Sequence, residues 1–206
     1  MEKSHENRID WKRFIIFTLI LGLVVAYLSV VSDNLPYLGD GVTVIEFFIS
    51  YLAVMINSLP MWFIYAMLIG YLFAKDIKGA ALLGTIYTLT VISFYFVISN
   101  FYTDVPIQLS FKQMVEVLVS WYGASTVGGI FGGIVGFLLK KTPYVLLILL
   151  SGLILQLFVN GTRSWGHMVG IAQNVTFILM ILSIFVYLTL VKRLKKKKIN
   201  CGHSAI

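Results

Sequence analysis

The amino-acid sequence predicts an all-α, polytopic membrane protein with six transmembrane helices, and three observations carry that expectation. Of its 206 residues, 59% are apolar or aromatic and only 12% are charged. An average soluble domain is about a quarter charged and under half apolar. The apolar residues fall in runs long enough to cross a hydrocarbon core of about 30 Å, which takes roughly 20 helical residues. The basic residues gather between alternate runs, as they do in cytoplasmic loops. Together these features exclude a disordered chain, a disulfide-stapled secreted domain and a free cytosolic enzyme.

The first span, Phe14–Val31, follows Lys12 and Arg13. That start resembles a signal peptide, but no small-x-small cleavage site follows the apolar run, so it reads as a helix. Val44 through Ala74 is predominantly apolar sequence, with Glu46 its one charged residue, and would reach about 46 Å as a straight helix, too long for one crossing. Pro60 supplies the break, because proline disfavours helix in the residue before it and suits a helix's first turn. The stretch therefore divides into a lead helix, Thr43–Ile56, and a second span, Pro60–Ala74, with Asn57 or Ser58 as cap. A third span covers Gly79–Ser99. The fourth, Tyr122–Leu139, has its own lead segment, Phe111–Trp121, introduced by the capping-box spacing of Ser110 and Gln113. Pro143–Val159 and Val175–Val191 complete the set.

Placing the N-terminus inside puts 14 of the 16 basic residues on the cytoplasmic side. They are Lys3, Arg8, Lys12, Arg13, Lys75, Lys78, Lys140, Lys141, Lys192, Arg193 and Lys195 to Lys198. Lys112 and Arg163 are left outside. The expectation is three in-out-in hairpins in a single domain over 1–191, N-in and C-in, with a basic cytoplasmic tail over 192–206. The net charge of +7 then belongs to helix ends and one tail. Its partner is the anionic surface of the lipid bilayer rather than nucleic acid, for which no folded basic domain exists. Cys201, alone in that tail, fits neither a disulfide framework nor a prenylation box.

An offset of 70 residues superposes Ser29 on Ser99, Pro36 on Pro106, Glu46 on Glu116 and Ser50 on Ser120. Apolar identities between helices mean little, but coincident Pro, Glu and Ser at one offset point to an internal repeat of about 13–75 and 83–141. The third hairpin, 143–191, has Gly170 where the Glu would stand. Repeats that start and end on one side are related by an axis along the membrane normal.

Glu46 and Glu116 are the acids within apolar runs, and an ionisable group at membrane depth is a functional-site candidate. Thr43, Glu46 and Ser50, like Gln113, Glu116 and Ser120, share one helix face, and Asn57 extends the first stripe. These residues, with Arg163 of the polar loop Asn160–Asn174, form a candidate site for a cation, an amine or a shared proton. The opposing reading places both lead helices in the interface, each Glu among headgroups and Lys112 neutralising Glu116.

Ser125, Gly128, Gly129, Gly132, Gly133 and Gly136 form two small-residue ridges of glycine-zipper type, suited to close helix packing. No catalytic constellation, metal cluster or cofactor motif is visible, so an enzyme acting on lipid is the weakest reading.

Asn57-Ser58, Trp62, Gly70, Ala80 with Gly84, Tyr95-Phe96, Trp121 and the run Gly128–Gly136 resemble an uncharacterised family of bacterial six-helix membrane proteins, a domain of unknown function. The resemblance implies a bacterial cytoplasmic membrane location and transfers no site residue. Size and topology are also similar to those of the substrate-binding membrane subunits of vitamin-uptake transporters. Two functional expectations lead: a small transport or solute-binding membrane protein with a polar outer cavity, and a non-transporting accessory or immunity-type protein. The second would dock another membrane protein or self-associate.

Overall fold

A computed structural model describes residues 10–35, 42–102 and 110–203. Lys3, Arg8, Pro36, Pro106 and the side chains of Lys195 to Lys198 and Cys201 lie outside the described residues. Those described form α1 (Trp11–Asp33), α2 (Val44–Ile56), α3 (Leu59–Phe73), α4 (Ile77–Tyr102), α5 (Phe111–Leu139), α6 (Leu146–Asn160) and α7 (Met168–His203). Short 3-10 turns at Pro143–Val145 and Thr162–Gly166 precede α6 and α7, and there is no strand among the described residues. Among the described residues five helical segments, α6 counted with its preceding turn, are long and apolar enough to cross a membrane, or six crossings if the bent pair α2 and α3 counts as one. The chain is an all-helical, multipass membrane protein.

Local chemistry explains where the helices start and break. Asp10 caps α1 by accepting from the Arg13 N–H at 3.2 Å. Thr43 and Glu46 form a reciprocal capping box at the start of α2, the Thr43 hydroxyl accepting from the Glu46 N–H and Glu46 accepting from the Thr43 N–H. Between α2 and α3 the axis bends by 65°. Ser58 is extended there and its hydroxyl donates back to the Met55 carbonyl at 2.6 Å, while Pro60 sits in the first turn of α3.

Ser110 and Gln113 form the second capping box, at the start of α5. Here the structure departs from the expected lead helix. Phe111–Trp121 is the first part of one continuous helix of 29 residues, because its sequence holds no proline to interrupt the backbone ladder. α7 likewise runs on past Val191 to His203; lysine-rich sequence is good helix former and carries the pattern beyond the apolar span.

The helices cluster into two compact units, Met1–Lys141 and Thr142–Ile206. In the first, α4 is central: α1, α3 and α5 all pack on it, α5 also packs on α3, and α2 packs on α1. α5 meets its two neighbours backbone to backbone. A methyl group on Gly129 would run into the Thr88 side chain and the Gly84 carbonyl, and one on Gly133 into the Ala80 carbonyl, all on α4. One on Gly132 would strike Ala66, and one on Gly136 the Met67 carbonyl, both on α3. The confinement is mutual, since Gly70 of α3 faces the Gly133 carbonyl and Gly84 of α4 the Gly129 carbonyl. The Thr88 hydroxyl adds a cross-helix hydrogen bond to the Ser125 carbonyl at 2.7 Å. Gly128 is the exception on this helix stretch, with open space where its side chain would be. In the second unit α7 packs on α6 and on the Thr162–Gly166 turn.

Gly133→Ala and Gly136→Ala should each destabilise the first unit by about 1–3 kcal/mol, the usual cost of overpacking. Gly128→Ala should be neutral or stabilising, because alanine is the better helix former. Thermal unfolding of the purified protein in detergent reads the difference; equal effects at all three positions would contradict this packing.

Candidate functional site

The two carboxylates singled out by the sequence are both engaged locally. Glu46 is exposed, and one of its oxygens accepts from the Thr43 hydroxyl at 2.7 Å and the Thr43 N–H at 2.9 Å. Glu116 pairs with Lys112 one turn earlier at 3.8 Å, and both side chains are largely exposed. Ser50 is buried whereas Ser120 is exposed, its hydroxyl donating to the Glu116 carbonyl. The helices that carry them have different main neighbours, α1 for α2, and α3 and α4 for α5.

Asn57 belongs to another constellation. Its side-chain amide donates to one oxygen of Asp33 at 2.8 Å, and the Tyr95 hydroxyl donates to the other at 2.6 Å. One carboxylate thus joins the last residue of α1, the break between α2 and α3, and α4. A negative charge at a helix C-terminus opposes the helix dipole, and two hydrogen bonds from neutral donors offset that repulsion without neutralising the charge. Asp33 remains exposed, so its remaining lone pairs can accept from a cation or an amine. Asn34 closes the helix end beside it by donating to the Val30 carbonyl at 2.8 Å.

The seam between α1 and α4 continues from this point into the core. Gly22 lies against Val91 and Phe94, which identifies the face of α1 that meets α4. Thr18, four residues earlier, and Ser29, seven later, fall on that same face, and Tyr87 lies one turn before Val91 on α4. All three are buried, and their hydroxyls have no hydrogen-bond partner among the described residues. Buried hydroxyls are ordinarily satisfied by protein or by ordered water, so this seam offers hydrogen-bonding capacity within an apolar bundle.

Nearby, Tyr95 meets Phe96 edge-on, Phe96 stacks on Tyr122, and the Tyr122 and Ser93 hydroxyls lie 2.9 Å apart. These contacts anchor the end of α4 that carries Tyr95 against α5.

In the second unit, Arg163 is an exposed residue of the Thr162–Gly166 turn. Beneath it runs a polar chain. Gln156 donates to Asn160 at 2.7 Å, Asn160 to Asn174 at 2.8 Å, Asn174 to Ser164 at 2.7 Å, and Ser164 to the Gly161 carbonyl at 2.9 Å. Gly161 has φ of 60°, a backbone conformation that side chains rarely adopt. Gly170 is pressed against the Ser164 backbone, where a side chain would collide. Asn174 is fully buried with both ends of its amide bonded. Asn160, at the end of α6, and Asn174, in α7, each begin an Asn-x-Thr sequence, and both side chains are committed to the fold.

Sequence reasoning missed Asp33, which reads there as an ordinary outer-loop acid, and the pairing of Tyr95 with it. The available signal was Asn57, the polar residue at a break between two apolar helices. Among the described residues, no group of three His, Cys, Asp or Glu side chains is arranged to hold a metal ion. No protein-family model, curated protein or solved structure matches the chain.

Asn174→Ala should lower stability by about 1–3 kcal/mol, since it leaves Asn160 and Ser164 without their partner in a buried site. Glu46→Gln and Glu116→Gln should leave the melting temperature where it is, because glutamine also completes a capping box and exposed ion pairs contribute little. A large loss from either Gln variant would mean that the carboxylate has a role beyond its own helix.

Proposed function

We propose that this chain is a small solute-binding or transport protein of the bacterial cytoplasmic membrane, N-in and C-in, taking a compact cation or amine at its outer face. The observation that carries the reading is the Asp33 carboxylate, held by Asn57 at the α2–α3 break and by Tyr95 of α4. Broken helices at membrane depth are where transporters coordinate substrate and coupling ions, because irregular backbone is tolerated only where it lines a cavity or is buried in protein. The buried hydroxyls of Ser29, Thr18 and Tyr87 along the same seam support it. In this reading Asp33 takes the central role, and Glu46 and Glu116 start or flank helices in the headgroup region. The repeat of about 13–75 and 83–141 remains part of the proposal, with the break in its first half alone accounting for a single site.

The second reading, a non-transporting protein that docks another membrane protein, is favoured by the local engagement of Glu46 and Glu116. The resemblance to the bacterial domain of unknown function is compatible with both.

Thermal unfolding of the detergent-solubilised protein, titrated with alkali and alkaline-earth cations and with primary and quaternary amines, tests the site. At least one cation should raise the melting temperature of the wild type, and Asp33→Asn should weaken that binding at least tenfold. Tyr95→Phe, which keeps the charge and loses one donor, should have a smaller effect. A wild type that responds to none of these cations, or an Asp33→Asn variant that responds equally, would leave the docking reading in its place.

A further inference from the structure

At the other end of the first unit, Phe73 packs against Phe14 and Phe17, with ring centroids 5.7 Å and 5.5 Å apart. This brings the start of α1 beside the end of α3. The C-terminus of α3, the N-terminus of α4 and the C-terminus of α5 meet there, and Arg13, Lys75, Lys78, Lys140 and Lys141 are all exposed. The acids of this end are engaged: Asp10 caps α1 and pairs with Arg13 at 3.0 Å, and Asp76 accepts from the Gly79 N–H at the start of α4.

Two of the lysines are held rather than free to sweep. The Lys140 ammonium donates to the Ala74 carbonyl at 2.7 Å, where α3 ends. It also lies 5.8 Å from the centre of the Tyr71 ring and 5.7 Å from that of Phe137. Lys141 approaches the same Phe137 ring at 5.0 Å. Two ammonium groups thus converge on one aromatic ring, and among the described residues no carboxylate pairs with either. Partial burial holds the Lys140 pKa below the ordinary lysine value, as expected of a cation fixed without a counter-charge. Below the charges, Tyr71 and Leu72 present exposed apolar surface along α3.

We infer that Lys140 and Lys141, set around Phe137 at the junction of α3 and α5, bind the phosphate headgroup of one anionic phospholipid, whose acyl chains lie along Tyr71 and Leu72. The Lys140 ammonium has two donors left after the Ala74 carbonyl, and Lys141 has three. The phosphodiester supplies the negative charge the protein withholds. A diffuse basic surface attracts anionic lipid weakly and without preference among its lysines. A preorganised pair differs, because less side-chain freedom is lost on binding.

The test places the protein in phosphatidylcholine nanodiscs with increasing phosphatidylglycerol and follows thermal unfolding. Phosphatidylglycerol should raise the melting temperature of the wild type. Lys140→Gln and Lys141→Gln should each weaken the apparent affinity at least about tenfold, beyond the roughly fivefold share of any one basic residue near the surface, and the double variant should lose the response. Lys78→Gln removes the same charge from the same end and should keep it. Unfolding in pure phosphatidylcholine gives each variant's own baseline, so a loss of capping at Ala74 is separated from a loss of lipid binding. Equal losses from all three single variants, or none from any, would overturn the site. Inorganic phosphate stabilising the protein equally in pure phosphatidylcholine would overturn the lipid as its occupant.

Discussion

The close backbone contact of α5 with α3 and α4 is the constraint on which the first unit depends. In a bilayer, apolar side chains gain little by leaving lipid for protein, so helices hold together through packing and polar contacts. Gly129 and Gly133 on one side of α5, and Gly132 and Gly136 on the other, let two neighbours approach until carbonyl oxygens face α-carbons. At that distance weak Cα–H···O contacts add to dispersion. Such an interface has one register, because a slip along the helix would put a side chain where a glycine must be. With α3 and α4 both locked to α5, the remaining faces of α4 are fixed as well, and Tyr87, Val91 and Tyr95 are presented to α1.

That fixed platform gives meaning to the break between α2 and α3. The chain leaves α1 at Asp33, returns through α2 and turns by 65° into α3, so the turn residue Asn57 arrives at the end of α1. Tyr95 reaches the same point from α4. Three elements thus converge on one carboxylate, and their distance from one another is set by packing elsewhere. The same geometry puts a hydrogen-bonded, still charged group at the head of a seam lined by buried hydroxyls.

Much of this fold is legible in the sequence because the signals are local. Ser110 with Gln113 announces a helix start through capping-box spacing, and Pro60 announces the break; Thr43 and Glu46 have the same spacing, but it is the structure that identifies them as a cap. The hydropathy runs give the helices, since the bilayer demands long apolar segments with all backbone bonds made internally. The continuity of α5 was less legible, because a lead segment and a span look alike when nothing interrupts them. The helical extension of α7 past Val191 escaped for a related reason: an apolar run marks where a span ends, while lysine allows the helix to continue. The polar chain from Gln156 to Ser164 could be read only as polarity of a loop. Its connectivity depends on Gly161 and Gly170 permitting backbone shapes that composition alone does not reveal.

The acids show why the candidate site itself was the least legible part. Five are among the described residues. Asp10, Glu46, Asp76 and Glu116 each find a partner within four residues, at a helix start or one turn away. Short spacing of that kind makes a residue conspicuous in a sequence, and it also makes the residue self-sufficient. Asp33 differs in that its two donors lie 24 and 62 residues further along the chain. Such a pair forms only after α1, α3 and α4 have assembled, so no window of sequence contains it. In a chain with so little charge, the carboxylate that waits for the whole bundle before its hydrogen bonds exist is the one whose position the fold has built.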